Sequence, residues 1–380
     1  MAKSNSNSLV EESSYVWNGK PKIFKKEIDE TNPYTVVDLF CGAGGASYGF
    51  QSAGFNVVLG IDHLIPALNT FKKNHENSST ILGDIKDISP ELIEDILDGI
   101  NVKVLIGGVP CQGFSLNNRK RREDDPRNQL FYEFVRFIKI LKPDMIMLEN
   151  VSGMKSMKNG EVVETIRSEI ISAGEEIGKK YNVEYKMLNA ADYGVPQLRN
   201  RLIFLGGSSN FNITFPKQKF SPDNYRTVRD AIGDMPSLKP KENKKEYAKE
   251  PFSEYQKLMR KGSKFLFNNQ APNHPQKTVD RIKNTLPGEP MYPRYKQRIR
   301  LSWDAPSPTQ VCGGIRPQFQ FGHPEDNRGL TIRERARIQS FPDTFMFTGG
   351  MVQERVQTGN AVPPLLAQAI AENLYGELSK

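Results

Sequence analysis

The chain has 380 residues, 37% of them hydrophobic and 25% charged, with a mean hydropathy of −0.54. It is long enough for one large core and a second, smaller domain, and no apolar run reaches the roughly 18 residues that a membrane-spanning helix needs. The polar residues 1–8 lack the apolar segment of a secretory signal. Three cysteines without a CxxC pair (Cys41, Cys111 and Cys312) exclude a disulfide framework, argue against zinc and predict a reducing, cytoplasmic setting. The net charge of +8 and the isoelectric point near 9.1 favour an anionic partner.

The first predicted elements form a β-α-β unit. A β-branched strand over 35–39 runs into a glycine-rich turn at 40–45, which a helix over 46–53 follows. A second strand, 57–61, ends at Asp62. This opening is typical of a nucleotide pocket, because the turn admits the ligand and the acid can bind ribose hydroxyls. Many strand–helix junctions carry a glycine turn for packing alone, and that alternative stays open.

The spacing of the turn differs from that of the dinucleotide fingerprint. Phe40 precedes Gly42 and Gly44, and the third glycine is Gly45. Phe40 offers a face for an adenine ring, and exposed backbone amides of the turn could receive a carboxylate. Asp84 follows a third strand, 80–82, although an acid there is often only a solvated loop residue.

The segment from Gly108 to Ser115 presents a cysteine after a buried strand, 102–106. Pro110 fixes its own φ and extends the residue before it, and the flanking glycines allow close approach to the backbone. A thiol in this position suits nucleophilic catalysis, so Cys111 is the candidate nucleophile. Taken alone, such a cysteine is more often a small buried hydrophobe.

Four consecutive cations, 119–122, follow the candidate nucleophile. We expect a mobile loop that grips phosphates, the alternative being a solvated charged face. The next helix, 129–141, carries an inward apolar stripe that predicts core packing alone.

A strand at 145–148 delivers Glu149 to the sheet edge at which ligands of parallel sheets bind. Further along, alternation along one strand would place Gln197, Arg199 and Arg201 on one face, with the two cations converging. The alternative is that these arginines pair with surface acids.

Residues 207–324 are dense in Lys, Asn, Pro and aromatic residues and have weak periodicity. We expect a separate, loop-rich, basic domain with a nucleic-acid face, the alternative being a generic lid domain. Regular pattern resumes with a capping-box spacing, Thr331 and Glu334, which predicts a helix start. The turn 358–364 leads into the last helix.

Together, these segments resemble the motifs of the DNA (cytosine-5)-methyltransferases, from about Thr35 to the C-terminus and in the family's order. The segments that carry the resemblance are Asp38–Gly45, Asp62, Asp84, Pro110-Cys111-Gln112, Glu149-Asn150-Val151, Gln197-x-Arg199-x-Arg201, Arg333–Pro342 and Gly359–Pro363. Asp62 stands where the family more often has Glu, which puts only the reach of the carboxylate in doubt.

The resemblance implies a cofactor and a set of site residues. S-adenosylmethionine is expected to lie against Asp38, Phe40, Gly42, Gly44, Gly45, Asp62, Asp84, Ile85, Pro110, Leu130, Asn360 and Val362. Catalysis is expected from Cys111, Glu149, Arg199 and Arg201. DNA contacts are expected from Gln112, Ser115, Arg119, Lys120, Arg121, Arg122 and Gln197.

The implied chemistry begins with the Cys111 thiolate, which adds to C6 of a flipped-out cytosine. A protonated Glu149, favoured by exclusion of water, neutralises charge at N3. Arg201 orients the ring through its O2, and Arg199 helps to hold Glu149 or a phosphate.

The implied fold is α/β, with a mostly parallel seven-stranded sheet in which one strand is reversed. The expected domains are an extension (1–34) without its own core, a catalytic part (35–206), a target recognition domain (207–324) and a returning part of the large domain (325–380). Double-stranded DNA is the expected partner. The expected form is a monomer that acts in the bacterial cytoplasm and on the nucleoid, alone or beside a cognate restriction endonuclease.

Three alternatives stay open. An RNA cytosine-5 methyltransferase would share the catalytic motifs, but a variable region of over a hundred residues argues against it. A non-catalytic DNA-binding protein on the same scaffold would be expected to have lost Cys111 or Glu149. A dinucleotide-dependent oxidoreductase is disfavoured by the glycine spacing.

Overall fold

The structure, a computed structural model, describes residues 15–110, 130–312 and 320–380, with the backbone alone at 156–159. The chain divides into two compact units. The first unit takes in the described residues of Met1–Asn189, Asn200–Lys217 and Leu366–Lys380, and the second those of Ala190–Arg199 and Gln218–Leu365.

The first unit is built on a sheet whose strands alternate with helices along the chain. The strands of the described residues are β1 (Lys22–Phe24), β2 (Thr35–Leu39), β3 (Asn56–Asp62), β4 (Ser79–Leu82), β5 (Val104–Gly108), β6 (Met145–Val151), β7 (Tyr181–Asn189), β8 (Gln197–Leu198), β9 (Asn200–Ser208) and β10 (Ser307–Pro308). Eight of them form one sheet in the order β1-β4-β3-β2-β5-β6-β9-β7.

Five neighbouring strands, from β4 to β6, are parallel, and β9 runs antiparallel to both β6 and β7. The predicted seven-stranded sheet with one reversed strand is therefore confirmed for β2–β7 and β9. The eighth strand, β1, comes from the N-terminal extension and pairs antiparallel with β4. The extension thus contributes backbone pairing to the sheet edge, although its composition gave no strand signal.

Helices cover the sheet and explain its continuous apolar strands. The helices of the described residues are α1 (Gly45–Ser52), α2 (Ile65–Asn74), α3 (Pro90–Leu97), α4 (Leu130–Leu141), α5 (Glu161–Glu176), α6 (Val228–Ile232), α7 (Glu254–Arg260), α8 (Gln276–Lys283), α9 (Ile332–Ile338), α10 (Met351–Asn360) and α11 (Pro364–Leu378). The core of the first unit includes Val37, Leu105 and Leu148 from the strands and Phe134 and Phe137 from α4. Within the described ranges, no helix is both long and apolar enough to cross a membrane.

The second unit is loop-rich, as its composition predicts, but it has a core of its own. Val228, Tyr255 and Phe321 pack in it with Ile338 of α9. The α9 arginine Arg337 is fully buried. This helix is therefore part of the second unit, and only Leu366–Lys380 returns to the first.

The packing division differs from the sequence division at 324/325. The difference has a physical cause, because the Arg337 guanidinium donates to Asp234 Oδ1 at 2.6 Å and to Asp343 Oδ2 at 2.7 Å. Ion pairs between buried groups fix α9 into this core, whereas the sequence signal was only a return of helical periodicity. The assignment of 207–324 to target recognition stays a prediction.

Candidate active site

A cavity of about 420 Å³ opens where β2, β3 and β4 end in the first unit. Its lining residues are Val16, Trp17, Asn18, Phe40, Ile61, Asp62, His63, Gly83, Asp84, Ile85, Lys86, Asp87 and Leu130. Five of the residues predicted to bind the cofactor (Phe40, Asp62, Asp84, Ile85 and Leu130) are thereby brought together at one edge of the sheet. An aromatic face beside carboxylates suits an adenosine-type ligand.

The carboxylate of Asp62 is oriented by two backbone amides. Oδ2 accepts from the Gly42 amide at 2.8 Å, and Oδ1 accepts from the Leu64 amide at 2.7 Å. Each carboxylate oxygen has a second lone pair, so Asp62 can still accept a bond from a ribose hydroxyl. The Gly42 amide is thus occupied, and the Gly44 amide donates to Cys41 O at 2.9 Å. The expectation that exposed amides of this turn receive a ligand carboxylate stays a prediction, and these two amides already have protein acceptors.

Gly44 is required by its backbone conformation and by its surroundings. Its φ is 93°, and a Cβ there would lie 2.2 Å from His75 Nε2. The His75 ring lies between Gly44 O (3.1 Å) and Gln51 Oε1 (2.7 Å). Burial lowers the pKa of His75 to about 4, so the imidazole is neutral at pH 7. The turn therefore packs at Gly44 against a buried neutral ring, and α1 starts at the next residue, Gly45.

Asp38 contacts the helix that follows the turn, through Ser47. Its side chain is buried, is absent from the cavity lining and accepts a bond from Ser47 Oγ at 2.6 Å. Burial, together with the nearby charge of Asp62, raises the pKa of Asp38 to about 7, although the hydrogen bond from Ser47 acts in the opposite direction. The direct cofactor contact expected of Asp38 is therefore corrected to a positioning role for its side chain.

The far side of the cavity is fixed from helix α4. Asp84 accepts from the Lys86 amide at 3.1 Å, which starts a short 3-10 turn. Arg136 donates to Ile85 O at 2.7 Å and to Ile88 O at 2.9 Å. A guanidinium thus holds the loop in which Asp84 and Ile85 lie. Pro110 is not among the lining residues, and its predicted cofactor contact stays a prediction.

Glu149 lies at the end of β6, in register with Gly108 of β5. A Cβ on Gly108 would be 3.6 Å from Glu149 Oε2, so the carboxylate lies beside the strand end that leads through Pro110 to Cys111. Arg201 Nε lies 2.7 Å from Glu149 Oε1, with only 12% and 10% of the two side chains exposed. The contact to Glu149 expected of Arg199 is thus made by Arg201.

The chain does not continue as one strand from Gln197 to Arg201, contrary to the alternation prediction. β8 pairs in parallel with β10, whereas β9 enters the main sheet. Arg199 is buried, and its guanidinium donates to the backbone oxygens of Gln310, Gly359 and Ala361. The two cations therefore have separate sets of partners. In the second unit, Arg199 positions the turn on which Asn360 lies.

The structure also contradicts the prediction for Gln197, because this side chain is 0% exposed. Its amide nitrogen donates to Gln339 Oε1 at 3.0 Å, and its amide oxygen accepts from the Gln310 amide at 2.9 Å. A side chain buried and bonded in this way is structural, so the predicted DNA contact of Gln197 is wrong.

The remaining predicted site residues are not tested by this geometry. Asn360 ends α10 and is exposed, and Val362 is buried, both in the second unit, so their cofactor contacts stay predictions. Outside the described residues lie Cys111, Gln112, Ser115, Arg119, Lys120, Arg121 and Arg122.

Eight lining residues were not predicted, and three of them, Val16, Trp17 and Asn18, belong to the N-terminal extension. The sequence offered only one signal for them, a tryptophan within a polar segment. The Glu149–Arg201 ion pair was also missed, because a pattern of alternation cannot reveal where the strand breaks.

Comparisons with known proteins agree with this geometry. The family model for C-5 cytosine-specific DNA methylases matches residues 34–376. The type II methyltransferase M1.HphI of Haemophilus parahaemolyticus is 38% identical over 350 residues, covering 89% of this chain and 86% of that protein. M.DdeI of Desulfomicrobium norvegicum is 38% identical over 373 residues, covering 89% and 88% respectively.

Solved structures give the same fold. A chain assigned as a DNA modification methyltransferase of an Escherichia coli prophage has a TM-score of 0.76 at 27% identity, covering 91% of this chain and 99% of that one. The Dnmt2 methyltransferase of S. pombe, with a TM-score of 0.60 at 16% identity, has the same fold and covers 91% of this chain and 100% of that one. By its match over residues 34–376 and these relatives, the chain belongs to the C-5 cytosine-specific DNA methylases, enzymes that methylate cytosine in DNA with S-adenosylmethionine as cofactor.

Proposed function

We propose that the protein methylates C5 of a flipped-out cytosine, in a short specific sequence of double-stranded DNA, through a covalent bond between Cys111 and C6. The observation that carries this proposal is the position of Glu149. Its carboxylate is held by Arg201 beside the end of β5, the strand that leads into Pro110-Cys111.

The nucleophile is assigned to Cys111 on chemical grounds. C5 of cytosine is a weak nucleophile, and addition of a thiolate to C6 turns the ring into an enamine-like carbon nucleophile. Cys41 does not suit this task, because burial raises its pKa well above the ordinary value for a thiol. Cys312 lies in the second unit and follows no strand of the main sheet.

Glu149 and Arg201 act on the other edge of the base. As the Cys111–C6 bond forms, electron density moves toward N3, where a proton on Glu149 neutralises it. Arg201 orients the Glu149 carboxylate, and we propose that its guanidinium also contacts the cytosine O2. After methylation, a base removes the C5 proton, the Cys111–C6 bond breaks and the C5–C6 double bond returns.

S-adenosylmethionine supplies the electrophilic methyl group on its sulfonium. The residues proposed to hold it are those of the cavity, with Phe40 against the adenine and Asp62 on the ribose hydroxyls. Asp84 is proposed to bind the adenine amino group. Because Asp62 is already fixed by two amides, its orientation is set before the ligand binds.

A cytosine inside a stacked duplex cannot meet these groups, so the base must leave the helix. We propose that Gln112 and Ser115 contact the DNA near the flipped base and that the basic run 119–122 binds the phosphates.

Target recognition is proposed for the second unit. Cations there stack on aromatic rings, with the Arg298 guanidinium 4.1 Å from the Tyr295 ring centre and that of Arg281 4.3 Å from Tyr292. Arg298 is buried and Arg281 is half-buried, so Arg281 is the one of the two that we propose to meet phosphates or base edges.

The relatives named above are type II methyltransferases, and we propose that this enzyme likewise protects DNA beside a separate restriction endonuclease. The proposed form is a monomer, which sedimentation with and without a DNA duplex would test. A dimer that persists at low protein concentration would contradict it.

The test of the proposed chemistry is transfer of labelled methyl groups to genomic DNA by four proteins. Cys111→Ser is expected to lose activity, and Glu149→Gln to lose about 10²–10⁴-fold because the isosteric amide cannot supply the proton. Glu164→Gln, on the outer helix α5 and 57% exposed, is the matched control and should keep the wild-type rate.

A duplex with 5-fluorocytosine adds a direct readout, because fluorine blocks loss of the C5 substituent and should trap a denaturation-resistant complex with Cys111. Methyl transfer that survives Cys111→Ser would contradict the covalent route. Transfer to RNA alone would contradict the DNA substrate.

A further inference from the structure

Residues 15–20 form a strap that runs along the cofactor cavity. The Trp17 amide donates to His63 O at 2.8 Å, and the Ile65 amide donates to Tyr15 O at 3.0 Å. Val16 forms an antiparallel bridge with Leu64, two residues after the cavity carboxylate Asp62. A few residues later, β1 pairs with β4 at the sheet edge. The strap is thus held by backbone hydrogen bonds on both sides of its turn.

Within the strap, the indole of Trp17 has a defined position. Its Nε1 donates to Lys20 O at 2.8 Å, which closes the turn. The six-membered ring lies against Gly19, where a Cβ would come within 2.9 Å of Trp17 Cζ2. The Trp17 side chain is half-buried, and the residue lines the same cavity as Phe40.

Two aromatic residues in one cavity, with carboxylates between strand ends, match a ligand that carries a purine ring. A fixed indole offers a large apolar face at little cost in side-chain entropy. The strap is not a strand of the core sheet, which the seven strands β2–β7 and β9 form.

We propose that the strap 15–20 is part of the cofactor site and that Trp17 packs against bound S-adenosylmethionine, so that the N-terminal extension sets cofactor affinity. This inference rests on the proposed placement of the cofactor in this cavity. It gives a function to residues 15–20, which lie outside the family match at 34–376.

Calorimetric titration of the full-length protein with S-adenosylmethionine tests the proposal. Trp17→Ala is expected to weaken binding about tenfold, because one aromatic wall is lost. Ile23→Ala, in β1 and 37% exposed, is the matched control in the same extension and should bind as the wild type does. Unchanged melting temperatures show that both variants are folded.

Fluorescence gives an independent readout, because the chain has only two tryptophans, Trp17 and Trp303. Trp303→Phe leaves Trp17 as the sole tryptophan, and its emission should change during the titration, with the midpoint found by calorimetry. Trp17→Phe leaves Trp303, in the second unit, and its emission should not follow cofactor binding.

Asp62→Ala separates failure of this proposal from failure of the site on which it rests. If Asp62→Ala weakens binding while Trp17→Ala does not, the strap proposal is wrong and the cavity assignment stands. If neither variant changes affinity, the cofactor binds elsewhere and both are wrong. Weaker binding in both variants, with a Trp17 emission change, supports the strap.

Discussion

Replacing Gly44 by alanine is expected to destabilise the first unit through two separable effects. The backbone has φ 93°, and an L-residue in left-handed conformations costs roughly 1–2 kcal/mol. The new Cβ would also lie 2.2 Å from His75 Nε2 and 2.9 Å from Phe71 Cδ2. Forcing packed rings apart typically costs about 1–3 kcal/mol. The sum is a loss of about 2–5 kcal/mol in the free energy of unfolding.

The chain offers a control that isolates the backbone part. Gly99 has φ 82°, and a Cβ added there meets nothing within 4 Å. Gly99→Ala should therefore cost only the roughly 1–2 kcal/mol of the left-handed conformation. Both variants can be compared by urea denaturation followed by circular dichroism.

Gly44→Ala should be the less stable of the two, and it should also weaken S-adenosylmethionine binding because the turn and Asp62 are coupled through the Gly42 amide. Equal losses of stability in the two variants would refute the claim that His75 and Phe71 restrict this position.

Three further substitutions test the site. Arg201→Met leaves the Glu149 carboxylate without its cation at a site only about a tenth exposed, so the free energy of unfolding should fall by about 2–4 kcal/mol in urea denaturation. Adding Glu149→Gln should recover most of this loss, because the amide carries no charge. Additive losses in the double variant would contradict the pairing. In the folded protein Asp38 keeps its proton up to about pH 7, whereas the unfolded chain loses it near pH 3.8, so stability falls as pH rises through this window. Asp38→Asn should therefore be more stable than wild type at pH 8 but not at pH 4, and a pH-independent difference in urea midpoint would contradict this. Gln197→Ala removes bonds to Gln339 and Gln310 and should lower stability by about 2 kcal/mol while DNA affinity in gel-shift titrations stays unchanged; weaker DNA binding at unchanged stability would restore the DNA contact.

Local pattern in the sequence predicted strands and the carboxylates at their ends, whereas the seven-stranded sheet was expected from the family resemblance. Apolar runs bounded by glycine or acidic residues placed Asp62, Asp84 and Glu149 at the ends of predicted strands, and these strands run parallel in one sheet. Parallel pairing then brings these ends to one edge of the sheet, so the position of the carboxylates can be predicted without any knowledge of packing.

What pattern could not predict depends on long-range contacts. The alternation from Gln197 to Arg201 predicted one strand. In the structure, β8 pairs with residues more than a hundred positions away, and the strand is interrupted at Arg199. Likewise, Trp17 reaches the cavity only because the extension pairs with the sheet edge. Arg337 is buried because Asp234 and Asp343 neutralise it, and no local signal marks such a pairing.

Bisulfite sequencing of DNA from cells that express this protein, beside cells that express Cys111→Ser, tests the central claim most directly. The account predicts protected cytosines at one short motif in the first sample and complete conversion in the second. Complete conversion in both samples, with the wild-type protein folded and able to bind S-adenosylmethionine, would contradict methylation of DNA at C5 by this enzyme.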